Sequence, residues 1–326
     1  MNQQAMDPWH SMARLPIALI VDDPMPCVNP LYYFCMHVRQ ELNPPLAATI
    51  PVSLLEQFIE VIQANGVRGD FTVVPYPAGL GSIAEGLPGF DDTELQCWLE
   101  LVRNHVTPAF DIHPELLTHT RALDLETRRM LDVSEHEWSS HQDEATLTVY
   151  LERAMSILKD VELPNHGITQ PCGFAGDEDL YARAILAAEK SVNGRQRTHY
   201  FLDVLPDHPR PVPYCRLAKP ETGEYVVSVP SAFSDAFWSA NDGDTEAANM
   251  ADYYLTSDGH RGRIVDRLNV GCPLIFHTHW QSLYGNGSLA GLEGLCILVS
   301  RIAQHLDDRV QWMKISEVSE LVMACY

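Results

Sequence analysis

The sequence predicts an α/β protein: an irregular, TIM-like (β/α) barrel of about seven or eight strands, forming one domain over residues 1–326. Three observations carry that expectation. Strand-like apolar runs alternate with helix-like segments through almost the whole length, the pattern of parallel strands joined by crossover helices. The 326 residues, 46% of them hydrophobic, suffice for one large core. Acids and histidines fall directly after the strand-like runs, where such a barrel gathers its chemistry.

The first strand follows Pro16 as Ile17–Val21 and ends on an acidic pair. Ser53 and Glu56 have the S-x-x-E spacing of a capping box ahead of Leu54, Leu55, Phe58, Ile59 and Ile62, so a helix is expected from Ser53 to the Asn65-Gly66 stop. Phe71–Val74 reads as the second strand and Asp92–Val102 as the helix behind it, with Leu95, Trp98, Leu99 and Val102 on one face. Ala109–Ile112 is a short third strand. Asp143–Lys159 carries the apolar stripe Leu147, Tyr150, Leu151, Ala154 and Leu158, Gly167–Thr169 restarts an extended run, and Asp179–Lys190 is helical again. Further strands are expected at Tyr200–Val204, Tyr225–Val229, Leu274–His277 and Val310–Met313, with helices at His260–Leu268, Leu289–His305 and Glu317–Met323. Proline-rich 206–220 and acidic 241–246 read as surface loops.

Composition narrows the function classes. Lys plus Arg total 22 against 44 Asp plus Glu, a formal charge of -22 whose field repels phosphate backbones and anionic membrane surfaces, so neither nucleic acid nor membrane is an expected partner. The apolar stretch from Leu15 to Val21 is too short to span a bilayer and a poor signal-peptide core. The 8 cysteines form no CxxC and no regular framework; they are expected to be buried thiols in a cytoplasmic protein. The sequence is silent on oligomeric state.

Four separated segments converge on one mouth if the strands are parallel: Asp22-Asp23, His113 to His119, Gln170 to Phe174, and the His277/His279 pair. Successive side chains of a strand alternate in direction, so Asp22 and Asp23 can divide two roles, one binding metal and the other handling protons. His113 and His119 lie six apart, beyond the helical spacing of three or four, so a loop or irregular turn must join them. Two imidazoles and a carboxylate make a three-ligand set with an open position for water, as catalytic zinc requires. His277 and His279 face the same side of an extended strand, and either can serve as general acid, with His279 placed first. Tyr32, Tyr33, Tyr76, Trp238, Trp280 and Tyr284 are candidates to stack on a ligand ring, Tyr76 and Trp280 foremost because each closely follows a strand. The remaining histidines have no spacing that lifts them above surface or capping roles.

These residues together resemble the polysaccharide deacetylase (NodB-homology) family. Ile20-Val21-Asp22-Asp23 is similar to its T-F-D-D signature, and Gly66 to Val74 to the following G-[IV]-x-A-T-F-F-[VI] strand. His113 and His119 resemble a stretched H-x-x-x-H metal motif, Thr169-Gln170-Pro171-Cys172-Gly173 sits where the family has R-x-P-[YF]-G, and Pro273 to His277 resembles its late L-L-x-H strand. The resemblance spans nearly the whole chain in family order. It implies a NodB-like barrel that hydrolyses the C–N bond of an N-acylated sugar or a linear amide. By the same resemblance Asp23, His113 and His119 hold a divalent metal, zinc first, Asp22 is the general base, and a late-strand histidine protonates the leaving amine. Gln170, Trp280 and Tyr76 are the expected substrate contacts. Two departures stand out: the histidine spacing is six instead of four, and Gln170 replaces an arginine that orients the base. They keep open a barrel that has lost catalysis and binds a carbohydrate or metabolite. A metal-free glycosidase pairing Asp22 with Asp235 or Asp177 is the third reading.

Overall fold

The computed structural model describes residues 7–34, 45–243 and 246–326. Its strands are β1 (Leu15–Asp22), β2 (Gly69–Val73), β3 (Phe110–Pro114), β4 (Arg121–Asp124), β5 (Arg129–Ser134), β6 (Ile168–Thr169), β7 (Arg197–Phe201), β8 (Tyr214–Lys219), β9 (Glu224–Ser228), β10 (Leu274–His279) and β11 (Val310–Trp312). One sheet runs β10-β1-β2-β3 with β11 also on β1, and a second runs β6-β7-β9-β8. Every pairing in the first sheet is parallel, as are β6 with β7 and β7 with β9. At one seam the sheets meet through the parallel bridges Ile112–Asn165 and Glu115–Thr169, with the Leu116 amide donating to the Thr169 carbonyl. At the other, the Ala232 amide donates to the Ile275 carbonyl. The chain thus has the irregular (β/α) barrel that its sequence predicts, joined at two seams by isolated contacts where a regular barrel has full ladders.

Alternation along these strands sorts polar from apolar residues. Phe71 of β2 and Phe110 of β3 turn outward against Phe58 of the 52–65 helix, ring centroids 5.8 Å apart in each case. Their neighbours Asp70, Thr72 and His113 turn inward and are fully buried. Polar side chains therefore stack in the interior inside an apolar sleeve, and such groups are costly to bury unless partners satisfy them.

Several local expectations are corrected. The first long helix is Val52–Asn65 and its N-cap is Pro51, without a side-chain cap, so Ser53 lies inside the first turn and the capping box is not used; Gly66 does end it in the left-handed conformation (φ 62°). The 206–220 stretch is not all loop, because Tyr214–Lys219 pairs antiparallel with β9 at a sheet edge, where prolines before the strand are tolerated. The β4-β5 hairpin has no counterpart in the sequence reading. Residues 236–242 form a 3-10 segment in the expected acidic loop, of which 244–245 lie outside the described residues. Of the described cysteines, Cys27 and Cys272 are buried while Cys97, Cys172 and Cys296 are exposed; Cys35 lies outside the described residues. No described helix is long and apolar enough to cross a membrane.

Candidate active site

β1 and β10 run side by side with Asp22 paired to His279, so the acidic pair and the late-strand histidine leave the sheet at the same level. Asp23 takes a left-handed backbone (φ 63°), which turns it off the strand. Its amide donates to Glu115 Oε2 at 2.7 Å, and its carboxylate accepts from Gln281 Nε2 at 2.5 Å. His119 closes the group: Nε2 lies 3.2 Å from Asp23 Oδ1 and Nδ1 lies 2.7 Å from Glu115 Oε1. Asp23, Glu115 and His119, all buried, offer one ligand atom each within 4.8 Å of one another.

The Glu115–His119 segment is held by one buried acid. Glu135 accepts the amides of Leu117 (3.1 Å), Thr118 (2.8 Å) and His119 (2.6 Å) on its two oxygens and the Tyr150 hydroxyl at 2.6 Å. That support sustains left-handed backbone at Leu116 (φ 37°) and His119 (φ 65°), conformations that side chains other than glycine seldom adopt without compensation.

His279 has its own anchor. Its Nδ1 is 2.8 Å from Asp235 Oδ2, which also accepts from its backbone amide at 3.2 Å and from Ser282 Oγ at 2.8 Å. Burial opposes charge on this imidazole, but the Asp235 hydrogen bond and the carboxylates Asp23, Asp235 and Asp22 outweigh it and hold it raised to about 9. His277, two residues earlier, is buried with Nδ1 3.0 Å from Ser231 Oγ, and burial together with the His279 charge pushes it down to about 4. Burial, then the charges of Glu115 and Asp23, push Asp22 well above the usual carboxylate range; Thr72 Oγ1, donating at 3.4 Å, is its nearest hydrogen-bond partner. Glu115 is raised by the same two causes, burial first and Asp23 second. Asp23, although burial opposes its charge, is held below the ordinary value by His119 and His279.

These groups share one cavity of ≈ 110 Å³, lined by Asp22, Asp23, Glu115, His119, His279 and Gln281 at its base and by Cys172 and Trp238 among its other walls. A larger hollow of ≈ 540 Å³ lies between the β4-β5 hairpin and the 144–160 helix. Its walls are mainly apolar, and of its two acids, Asp124 and Glu126, the first is engaged by the amides of Glu126 and Thr127, whereas the smaller cavity gathers carboxylates and histidines together.

The structure gathers Asp22, Asp23, His119 and His279 as the sequence expected and separates five other candidates from them. His113 lies on β3 two residues before Glu115, about 7 Å lower along the strand. It joins Asp70 and His199 in the barrel interior, leaving the position beside Asp23 and His119 to Glu115. The four-residue spacing is therefore present as Glu115-x-x-x-His119, with glutamate in place of the first histidine. Trp280 continues the outward parity of Phe276 and Thr278 and is 1% exposed, packed against Phe58 and Phe71; Trp238 stands at the mouth instead, 4.9 Å from the His279 ring. Gln170 donates to Ser139 Oγ at 3.0 Å and does not reach Asp22. Tyr76 packs partly buried against the core outside the cavity. His277 lies behind His279 and is not in the cavity wall. Glu135 and Gln281 carry no sequence signal, because their roles depend on contacts 15 to 258 residues away in the chain.

No protein-family model and no curated protein sequence matches the chain. Solved structures do. A protein described as a polysaccharide deacetylase from Mycobacterium smegmatis superposes with a TM-score of 0.55 at 14% identity, covering 96% of this chain and 92% of its own. A family 4 carbohydrate esterase from Streptomyces lividans gives 0.43 at 9% identity over 92% of each chain, and a peptidoglycan deacetylase from Bacillus subtilis, in a mutant form, gives 0.46 at 9% identity over 97% and 93%. At these identities the likeness to the first of them establishes the fold.

Proposed function

On the polysaccharide deacetylase fold that this chain shares, we propose that it is a hydrolase of C–N amide bonds, removing the acyl group from an N-acylated sugar or a linear amide. The observation that carries the reading is the meeting, in one small cavity, of a buried donor set, a carboxylate and a histidine poised as an acid. The donor set fits a divalent cation: three buried groups, two of them carboxylates that burial and mutual repulsion oppose, lie within reach of one ion. Asp23, Glu115 and His119 would hold it. A divalent cation there supplies Lewis acidity, polarising a carbonyl and acidifying water. Two oxygens and one nitrogen make a harder site than the expected Asp-His-His set, so zinc shares the field with manganese, iron and cobalt.

The chain's own groups then divide the proton work. Asp22 faces the cavity without ligating and takes a proton from the attacking water as general base. His279, protonated at neutral pH and fixed by Asp235 through Nδ1, presents Nε2 to the departing nitrogen and gives it a proton. His277, neutral and hydrogen-bonded to Ser231, orients the strand end. The narrow cavity admits an acyl group while Trp238 offers the mouth an aromatic face for a sugar ring. We place the substrate among small N-acylated sugars and linear amides available in the cytoplasm.

Activity on N-acetylated sugars and linear amides, measured beside metal content, tests the proposal. Asp22→Asn is expected to keep the metal and lower kcat by about 10²–10⁴-fold, whereas Glu115→Ala and His119→Ala lose metal and turnover together. Metal bound normally by both ligand variants would sink the ligand assignment. Tight sugar binding with no turnover would favour the binding barrel, a reading supported by the failure of Gln170 to supply Asp22 with a partner.

A further inference from the structure

We propose that the barrel interior holds a second metal site, independent of the mouth, in which Asp70, His113 and His199 bind a divalent transition-metal ion of the zinc class. All three side chains are fully buried, and each offers a ligand atom within 4.8 Å of the others. They come from three strands: Asp70 from β2, His113 from β3 and His199 from β7, which lies across the β3–β6 seam. Asp70 Oδ2 is 3.4 Å from His113 Nδ1 and 3.0 Å from His199 Nε2. Ligands 2.0–2.2 Å from a tetrahedral ion stand roughly 3.3–3.6 Å apart, so the ion fits with small adjustments. The longer of the two contacts is a poor hydrogen bond.

Three further observations point the same way. Asp70 Oδ1 and His113 Nδ1 have no hydrogen-bond partner, although each is inside the protein, where an unsatisfied polar group is costly. Asp70 Oδ1 can therefore complete a bidentate carboxylate. His113 Nε2 lies 2.7 Å from Thr169 Oγ1, the outer hydrogen bond that fixes a ligating imidazole with its other nitrogen turned to the ion. Gly167, with a backbone (φ 117°) that disfavours other residues, faces the same spot: a Cβ there would come 2.7 Å from His199 Nε2 and 3.0 Å from His113 Nδ1. The glycine thus keeps clear the space into which both ligand nitrogens point. No Lys or Arg forms an ion pair with Asp70 among the described residues, so a cation is the missing counter-charge for this carboxylate. The nitrogen-rich, enclosed donor set suits zinc, iron or cobalt and not calcium or magnesium.

Such an ion would add a metal clamp between the two sheets across the seam that backbone bridges and the His113–Thr169 hydrogen bond otherwise close. The direct test is an anomalous difference map from crystals of the full chain produced in zinc-supplemented medium without chelator, collected on both sides of the zinc edge. A peak within bonding distance of Asp70, His113 and His199 is expected, separate from any peak at Glu115. An occupied mouth with only non-anomalous water density in the interior overturns the proposal, as does an interior that repacks so that Asp70 and the two imidazoles satisfy one another. Elemental analysis of the Glu115→Ala/His119→Ala protein gives the second arm: it should keep about one equivalent of zinc per chain, lost on further His199→Ala substitution. A double variant that folds, by circular dichroism, yet carries no zinc overturns the proposal without touching the reading of the mouth.

Discussion

His277 and His279 share a strand, a face and a type, and differ in what each hydrogen-bonds. Ser231 can accept or donate but carries no charge, whereas Asp235 places a full negative charge 2.8 Å from His279. Burial lowers both imidazoles, and only the second has the compensation that brings it to about 9. In protein freed of divalent metal, imidazole NMR should find His279 titrating near 9 and His277 near 4, and Asp235→Asn should lower the first by more than one unit. The linkage has a definite sign. Because the folded pKa of His279 is raised above its unfolded value of about 6.5, its stabilisation is complete below that value and is lost as pH rises through 9. Denaturation of metal-free protein between pH 7 and 10 should accordingly show wild type losing more stability than Asp235→Asn; an equal loss would remove Asp235 as the source. The acidic pair and His279 were legible in the sequence because each follows a strand-like run. Glu115 was not, because His113 is the more conspicuous ligand type; the two share one face of the strand, and only the register of β3, whose pairing with β2 ends at Pro114, tells that position 115 reaches the mouth and position 113 stops in the interior.

The segment between β3 and β4 shows how an element with no regular structure is made rigid. Its three successive amides at 117, 118 and 119 converge on Glu135, a side chain that begins the next short helix and is itself buried. Glu135→Gln would turn an amide NH₂ toward amides that need an acceptor, and is expected to lose about 3 kcal/mol of stability together with metal affinity at His119. Tyr150→Phe removes one of the acceptor's partners and should cost about 1 kcal/mol. Thermal denaturation with metal titration checks both, and an unchanged metal affinity in Glu135→Gln would show that His119 is held by other means. The long helices were legible from their apolar stripes, whose period is a local property. The β4-β5 hairpin and β8 were not, because their residues are mostly half-exposed and alternate weakly, and β8 owes its place to the edge that β9 leaves open. The capping signal at Ser53 failed for a local reason: Pro51 and Val52 start the helix one turn position earlier.

At the scale of the molecule, the formal charge of -22 acts on whatever approaches the mouth. The cavity adds Asp22, Asp23, Glu115 and, behind His279, Asp235, so its local field has the same sign as the whole. A bound divalent cation offsets only part of that charge, and surface charges beyond a screening length of about 8 Å at physiological salt still act on an incoming ligand when salt is low. Such a field disfavours an anionic ligand and admits a neutral one, as an N-acyl sugar is. Under the proposed amide hydrolysis the amine released would take a proton and become a cation, which the same field would retain. Two consequences follow from the one cause. A neutral N-acylated sugar should exceed an otherwise matched uronic-acid analogue in kcat/KM by about tenfold or more at low ionic strength, with the ratio contracting severalfold at 0.5 M salt. Inhibition by the amine product should weaken over the same range of salt. Both arise from long-range charge, so they should persist in Trp238→Ala, which alters a contact at the mouth and leaves the charge alone. A preference that salt does not change would place the discrimination in contacts within the cavity instead, where screening is weak and the shape around Trp238 and Cys172 decides which substituents enter.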